Sequence, residues 1–296
     1  DIMLRGKTGS TLTPYLFLIV PLIIYLIWVI GPMFYTFFLS LTNWDGLSSP
    51  EAIGLRNYER LFRDPVFFIS LLNNLKWIVS FITIPVVIGL ALAMALNRVI
   101  PGSRFFKASF YSPMVLSLVV CGLIWSWMYH PADGLINSAL RLVGLDALTQ
   151  GWLSDKDLVM WSIIAVAVWR QVGYVMILYL AGLQGVDPSL VDASKVDGCN
   201  SWQTFRNVIF PLLAPVTVIV VVISIIDSLR AFDLVSVMTR GGPYNSSSVL
   251  ANFMYIEAFN NYKMGYGAAI SVILFLISLV FIFIYLWRVM QTELEY

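Results

Sequence analysis

Six stretches of this chain stay apolar for about 20 residues or more, a length that carries a helix across a hydrocarbon core of roughly 30 Å. They are residues 12–41, 72–96, 105–129, 158–183, 210–229 and 267–290. Lipid offers no partner to backbone N–H and C=O groups, so a spanning segment must be helical or part of a closed barrel. Barrel strands are segments of about 10 residues with alternating polarity. The β-branched run from Val216 to Ile223 does not alternate. The sequence therefore predicts an all-α membrane protein, a single domain over residues 1–296 with six transmembrane helices. Pro21, Pro32, Pro85, Pro113 and Pro215 fall inside the spans and are expected as kinks tolerated within a packed bundle.

Composition narrows the function. Hydrophobic residues make up 59% and charged residues 12% of the chain, against roughly 25% charged in soluble domains. A net charge of +1 with no basic cluster excludes nucleic acid as a partner. Cys121 falls in a predicted span and Cys199 in a predicted cytosolic loop, so no disulfide is expected between them, and there is no CxxC metal pair. The single histidine, His130, cannot build a multi-histidine metal site and reads as a polar residue at the end of a span. With no HExxH and no nucleophile elbow, a membrane enzyme finds little support. No catalytic residue, metal ligand or bound cofactor is expected.

The chain starts at Asp1, not Met, so a preceding segment is expected. Arg5 and Lys7 before the first apolar run imitate a signal peptide. The run is too long for a signal core and no small-x-small site closes it, so it reads as a retained first span. Arg5, Lys7, Arg98, Arg104 and Lys107 place both termini in the cytoplasm by the excess of basic residues in inner loops. Arg56, Arg60 and Arg63 in the first outer connection weaken that asymmetry. The outer connections are residues 42–71, 130–157 and 230–266, the last carrying the turn Arg240-Gly241-Gly242-Pro243. Trp28, Trp44, Trp125, Trp127, Tyr129, Trp161 and Trp287 are expected near span ends, at headgroup level.

The long inner connection is residues 184–209. Pro188 presets a helix start with Asp187 as its cap. Leu190, Ala193 and Val196 or Asp197 recur on one narrow face, and Gly198 stands where a C-terminal glycine stops a helix. Ser201 is expected to cap a second helix over residues 202–209, which Pro211 separates from the fifth span. Such a helix-turn-helix suits docking into a groove of a soluble partner. A helix resting on lipid headgroups is the competing reading.

Asp192-Ala193-Ser194, three residues, Gly198, nine residues, Val208, Ile209 and Phe210-Pro211 resemble the EAA loop of binding-protein-dependent ABC importers. The family pattern is Glu-Ala-Ala, three residues, Gly, nine residues, Ile, one residue, Leu-Pro. Asp192 takes the Glu position, Ser194 the second Ala, Val208 the Ile and Phe210 the Leu. The segment from Tyr179 to Gln184 with Pro188, Phe232-Asp233, Gly241-Gly242-Pro243, and Ala258-Phe259 with residues 265–269 are similar to the carbohydrate-uptake branch, related to the maltose permeases. The likeness is carried by residues 169–269. It implies the type I importer permease fold and a coupling surface of Leu190, Asp192, Ala193, Ser194, Val196, Asp197, Gly198 and Pro211.

The resemblance also implies partners. These are a second, non-identical permease, two cytosolic ATP-binding subunits that hold ATP and Mg, and an extracytoplasmic solute-binding protein, in the inner membrane of a prokaryote. No G-x-x-x-x-G-K-[ST] loop occurs in this chain. A sugar path should be lined by polar and aromatic groups inside the spans, because a charge at bilayer depth is costly and usually faces a cavity or a partner. Candidates are Asn73, Asn74, Lys76, Trp77, Trp169, Arg170, Gln171, Tyr174, Ser224, Asp227, Ser228, Arg230 and Asp233. The bland alternative is that Arg170 and Asp227 neutralise each other or a neighbouring helix, and that Trp169 and Tyr174 pack or face lipid. A channel and an ion-coupled secondary transporter are the competing functions. The second would need matched interrupted spans, which the sequence does not display.

Overall fold

The structure is a computed structural model that describes residues 13–98 and 101–293. Arg5, Lys7 and the start of the first span at residue 12 lie outside these. Among the described residues the chain is helical, and the only β-type pairing is an isolated bridge between Thr42 and Ala52. Four helices are long and apolar enough to cross a membrane, Phe17–Ser40, Pro65–Leu96, Val159–Gln184 and Met264–Ile284, or up to six if each of two bent pairs counts as one span.

The first span is built from α1 (Thr13–Tyr25), a π-helical turn Leu26–Ile30 and α2 (Gly31–Ser40). Pro32 explains the turn. A proline has no N–H to bond the carbonyl four residues back, and its ring crowds that carbonyl. The chain shifts to the wider spacing, with Gly31 N–H bonding Leu26 O. The same spacing recurs where Pro211 follows a π turn at Phe205–Ile209, closed by Phe210 N–H on Phe205 O. Trp28 lies in the middle of the first span, 75% exposed, and not at its end as expected, because apolar sequence continues for ten residues beyond it.

Two compact units are present, one within Asp1–Arg63 and Met254–Ile273, the other within Asp64–Phe253 and Leu274–Tyr296. The first holds α1, α2, the short helix α3 (Arg56–Leu61) and the start of the last span. The second holds the core, whose axis is α4 (Pro65–Leu96) against α8 (Val159–Gln184). Asp64 caps α4 by accepting from Val66 N–H at 2.9 Å, so the second span begins seven residues before the apolar run does. Phe81, Ile163, Val166 and Val168 of these helices join Cys121 and Leu234 in one apolar cluster. Leu90, Ala93, Met176, Tyr179 and Leu183 join Leu213 and Val220 in another.

The third span is not one rod. After α5 (Ser103–Val115) the chain turns through 100° into α6 (Leu118–Met128). Ser117 caps α6 by accepting from Val120 N–H at 3.3 Å. Pro113 lies inside α5, two residues before its end. A turn this sharp at bilayer depth frees carbonyls, and Arg170 of α8 takes them: Nε donates to Leu116 O at 3.3 Å and Nη2 to Met114 O at 3.2 Å. The remaining helices of this core include α7 (Leu135–Leu142) and α13 (Asp233–Met238), and α14 (Leu250–Tyr255) and α15 (Met264–Glu293) complete the chain.

The crossing of α5 and α8 depends on Gly173. A Cβ at that position would strike the carbonyl of Phe110, so the backbones meet there without a side chain between them. Gly173→Ala is expected to destabilise the folded chain by about 1–3 kcal/mol through overpacking against backbone that cannot move aside. The measurement is the thermal midpoint of the detergent-purified protein; an unchanged midpoint would contradict the close crossing.

Candidate functional site: the connection between the fourth and fifth spans

Asp187 ends the connection from α8 and starts α9 (Pro188–Val196). Its carboxylate accepts from Ser189 N–H at 2.9 Å, and that bond holds its pKa below the ordinary carboxylate value. Pro188 occupies the first turn, where a missing N–H costs nothing. At the other end Gly198 has φ +82°, a left-handed conformation that a side chain disfavours. Cys199 N–H bonds Ser194 O at 3.0 Å and Gly198 N–H bonds Lys195 O at 3.1 Å, the paired bonds of a Schellman stop.

The second helix starts one residue earlier than expected. Asn200, not Ser201, is the cap: its side chain accepts from Gln203 N–H at 2.9 Å, and the Gln203 side chain accepts from Asn200 N–H at 2.8 Å. This reciprocal capping box opens α10 (Ser201–Thr204), which runs through the π turn into α11 (Phe210–Leu212). The chain then bends by 69° before α12 (Ala214–Leu229). Pro215 sits in the first turn of α12, where it starts a helix and does not kink one.

Ser194 falls where the family pattern has a small residue, and the structure gives the reason. It is buried, and its Oγ lies 3.0 Å from Thr204 Oγ1, joining the two short helices. It therefore fixes the hairpin and does not present itself to a partner. The outer face belongs to other residues. Leu190, Asp192, Ala193, Asp197 and Pro211 are exposed, Val196 is 88% exposed, and Trp202 and Phe210 add apolar surface beside them. Trp202 and Phe210 were not among the sequence-derived coupling residues; an exposed Trp beside a polar loop was the available signal. Asp192 pairs with Lys195 Nζ at 2.8 Å, an exposed pair of little energetic weight.

The hairpin is tied to the spans. Phe205 and Ile209 pack on the apolar cluster of Leu183, Leu213 and Tyr179. Tyr179 Oη meets Thr217 Oγ1 at 3.1 Å between α8 and α12. These contacts join the hairpin to the feet of the fourth and fifth spans.

The predicted solute-path residues divide into two groups. Arg170 is engaged with the broken third span, as described. Asn74 is a buried bolt: its Nδ2 donates to Ser228 O at 3.3 Å and its Oδ1 accepts from Leu250 N–H at 2.8 Å. Asn73 binds the carbonyls of Ser246 and Ser248 at 2.7 and 2.9 Å, pinning the loop that follows Gly242-Pro243. Trp77 is buried in the core, and Trp169 packs edge-on to Trp125 at 5.4 Å. Ser224 and Ser228 are buried, with Ser228 Oγ donating to Ser224 O at 2.6 Å. These residues build the fold.

The second group makes side-chain contacts only, or lines open space. Gln171 is buried, and its Nε2 donates to Asp227 Oδ2 at 3.2 Å in a part-buried bond. Lys76, which donates to Asn73 Oδ1 at 3.3 Å, is half-buried, as are Tyr174 and Asp233. Arg230 lines a small groove with Phe281 and Ile282. Arg170 and Asp227 are not paired with each other by contact; each has its own partner. Among the described residues no cluster of His, Cys, Asp and Glu is arranged to hold a metal.

Residues 10–289 match the family described as the binding-protein-dependent transport system inner membrane component. The chain belongs to this family. A probable ABC transporter permease protein of Pyrococcus horikoshii is 38% identical over 93% of this chain and 95% of its own length. The probable starch degradation products transport system permease protein AmyD of Thermoanaerobacterium thermosulfurigenes is 34% identical over 95% of both chains. A bacterial ABC transporter involved in the import of the acidic polysaccharide alginate shares the fold, with a TM-score of 0.82 at 21% identity over 94% of this chain and 95% of that one. The relatives are transport permeases and not enzymes, and nothing among them supports an ion-coupled secondary transporter.

The hairpin is expected to open when its left-handed stop is removed. Gly198→Val places a β-branched residue at φ +82° at a cost of about 1–2 kcal/mol. Trypsin should then cut faster at Lys195 and Arg206 in open membranes while the spans stay protected. Equal cleavage of variant and parent would show that the stop does not hold the hairpin.

Proposed function

We propose that this chain is one permease of an ATP-driven importer for a sugar or sugar-like solute delivered by an extracytoplasmic binding protein. The reading rests on one observation: a rigid, capped helical hairpin presents exposed apolar residues outward while its rear packs into the core shared by the fourth and fifth spans. An exposed apolar face on an otherwise polar loop fits a groove on a soluble partner. The partner is a pair of ATP-binding subunits, which hold ATP and Mg. Leu190, Asp192, Ala193, Val196, Asp197 and Trp202 form the contact, Ser194 and Gly198 hold its shape, and Pro211 sets where the lever joins the membrane.

Closure of the ATPase pair on ATP then draws the hairpin with it, and two packed states of the permease exchange by population shift. A second, non-identical permease completes the path. The hairpin faces the cytoplasm, and both termini lie on that side of the inner membrane, in keeping with Arg98, Arg104 and Lys107 in the second connection. The sugar class follows the naming of relatives such as the starch-product permease. Asp227 with Gln171, Arg230 and Lys76 remain as the polar groups of the path.

In the complex purified with its ATPase, Val196→Cys should cross-link to the ATPase subunit, and Gly198→Val should lower ATP-driven uptake, by roughly tenfold where the strain of about 1.4 kcal/mol falls on the rate-limiting step. Full uptake by Gly198→Val together with no cross-link from Val196→Cys would defeat the proposal. For the path, Asp227→Asn is expected to lower uptake with the ATPase still bound and the hairpin still resistant to trypsin, whereas unchanged uptake removes Asp227 from it.

A further inference from the structure

Where the first span ends and the last begins, the chain builds a small basic pocket. Gly265 N–H donates to Trp44 O at 2.9 Å, tying the start of α15 to the segment after α2. Asn57 of α3 bonds Ser40 O at 2.9 Å and Thr42 O at 2.7 Å. Beside this junction lies a pocket of about 280 Å3, with Trp44, Arg56, Arg60, Tyr262, Lys263 and Tyr266 in its wall.

Its charge is unbalanced. Glu257, whose side chain is only 12% exposed, serves both Arg60 at 3.8 Å and Lys263 at 3.2 Å. Arg60 also stands 4.1 Å over the Tyr266 ring. Of the acids nearby in sequence, Asp45 and Glu51 have other partners. Asp45 accepts from the N–H groups of Leu47 and Ser48 and from Ser48 Oγ, which hold its pKa down at about 2. Glu51 accepts from Asn43 Nδ2. Arg56 is exposed, and its guanidinium has no acid and no hydrogen bond among the described residues. Tyr262 holds φ +52° and leaves 62% of its surface exposed at the rim. A bulky residue in the left-handed region is uncommon and marks a conformation the surroundings enforce.

The spans Phe17–Ser40 and Met264–Ile284 end and begin here, so the pocket lies at the membrane boundary, where Trp, Tyr and basic residues meet lipid headgroups. We propose that this pocket holds the phosphate of an anionic phospholipid. Arg56 supplies the free charge, Lys263 and Arg60 flank it, and Trp44 and Tyr262 lie alongside the glycerol region. A phosphate fits better than a neutral sugar because the excess charge is positive. Lipid is favoured over a free anion because the pocket is built from the ends of two apolar spans, where headgroup phosphate is always present.

The test uses the full chain in its assembled complex, in nanodiscs of phosphatidylcholine with a minority of phosphatidylglycerol, and counts retained lipid by native mass spectrometry. The parent should retain phosphatidylglycerol in preference to phosphatidylcholine. Arg56→Gln should weaken that retention roughly fivefold, the usual worth of one cation near anionic headgroups. Arg56→Lys should restore most of it, and Arg63→Gln, outside the pocket, should leave it unchanged. Excess inorganic phosphate should not displace the lipid. Equal retention by Arg56→Gln, no preference in the parent, or ready displacement by inorganic phosphate would each overturn the lipid assignment. Trp44 and Tyr262 need not be altered, so loss of folding does not confuse the result.

Discussion

A carbonyl freed inside a membrane can be satisfied only by another part of the same assembly. Much of this structure follows from that constraint. The third span breaks by 100° at Leu116–Ser117, and Arg170 reaches from the fourth span to the carbonyls of Met114 and Leu116. Asn73 and Asn74 do the same for the loop near Ser246–Leu250 and for the end of α12. Prolines at 32 and 211 are met by π turns that re-space the ladder. Polar residues at bilayer depth are thus first of all partners for irregular backbone.

The hairpin between the fourth and fifth spans obeys the opposite logic. It stands outside the core, so it must be held by its own chemistry: a carboxylate cap at Asp187, a left-handed stop at Gly198, a capping box at Asn200 and a hydroxyl pair between Ser194 and Thr204. Each bond is modest, about 1 kcal/mol. Together they fix a hairpin of about two dozen residues whose front is exposed and whose rear reaches the apolar cluster around Tyr179 and Leu213. A stiff element with one face free and one anchored can transmit a push; a flexible loop would absorb it.

Helix and span assignment were legible because length and apolarity leave lipid-embedded backbone little choice. The hairpin was legible in its Pro188 start and Gly198 stop because caps are local chemistry. What could not be read was which side of a residue faces what. Ser194 and Ala193 are neighbours in sequence, yet one joins two helices and the other faces outward. Asn74 and Asp227 were both polar residues in spans; one is bolted between three segments and the other is held by Gln171 alone among the described residues. Trp28 looked like a span-end tryptophan only because its sequence neighbours do not reveal where the crossing begins.

The amino-acid order alone determined the all-helical membrane architecture, the number of apolar runs and the location of the hairpin between the fourth and fifth spans, because these depend on local hydrophobicity, turn residues and caps. Tertiary packing decided the 100° break, the employment of Arg170 and Asn74 by distant backbone groups, and the meeting of Arg60 and Lys263 on Glu257. Those arrangements join residues some 50 to 200 positions apart, and only the folded chain brings such groups within hydrogen-bond or ion-pair reach.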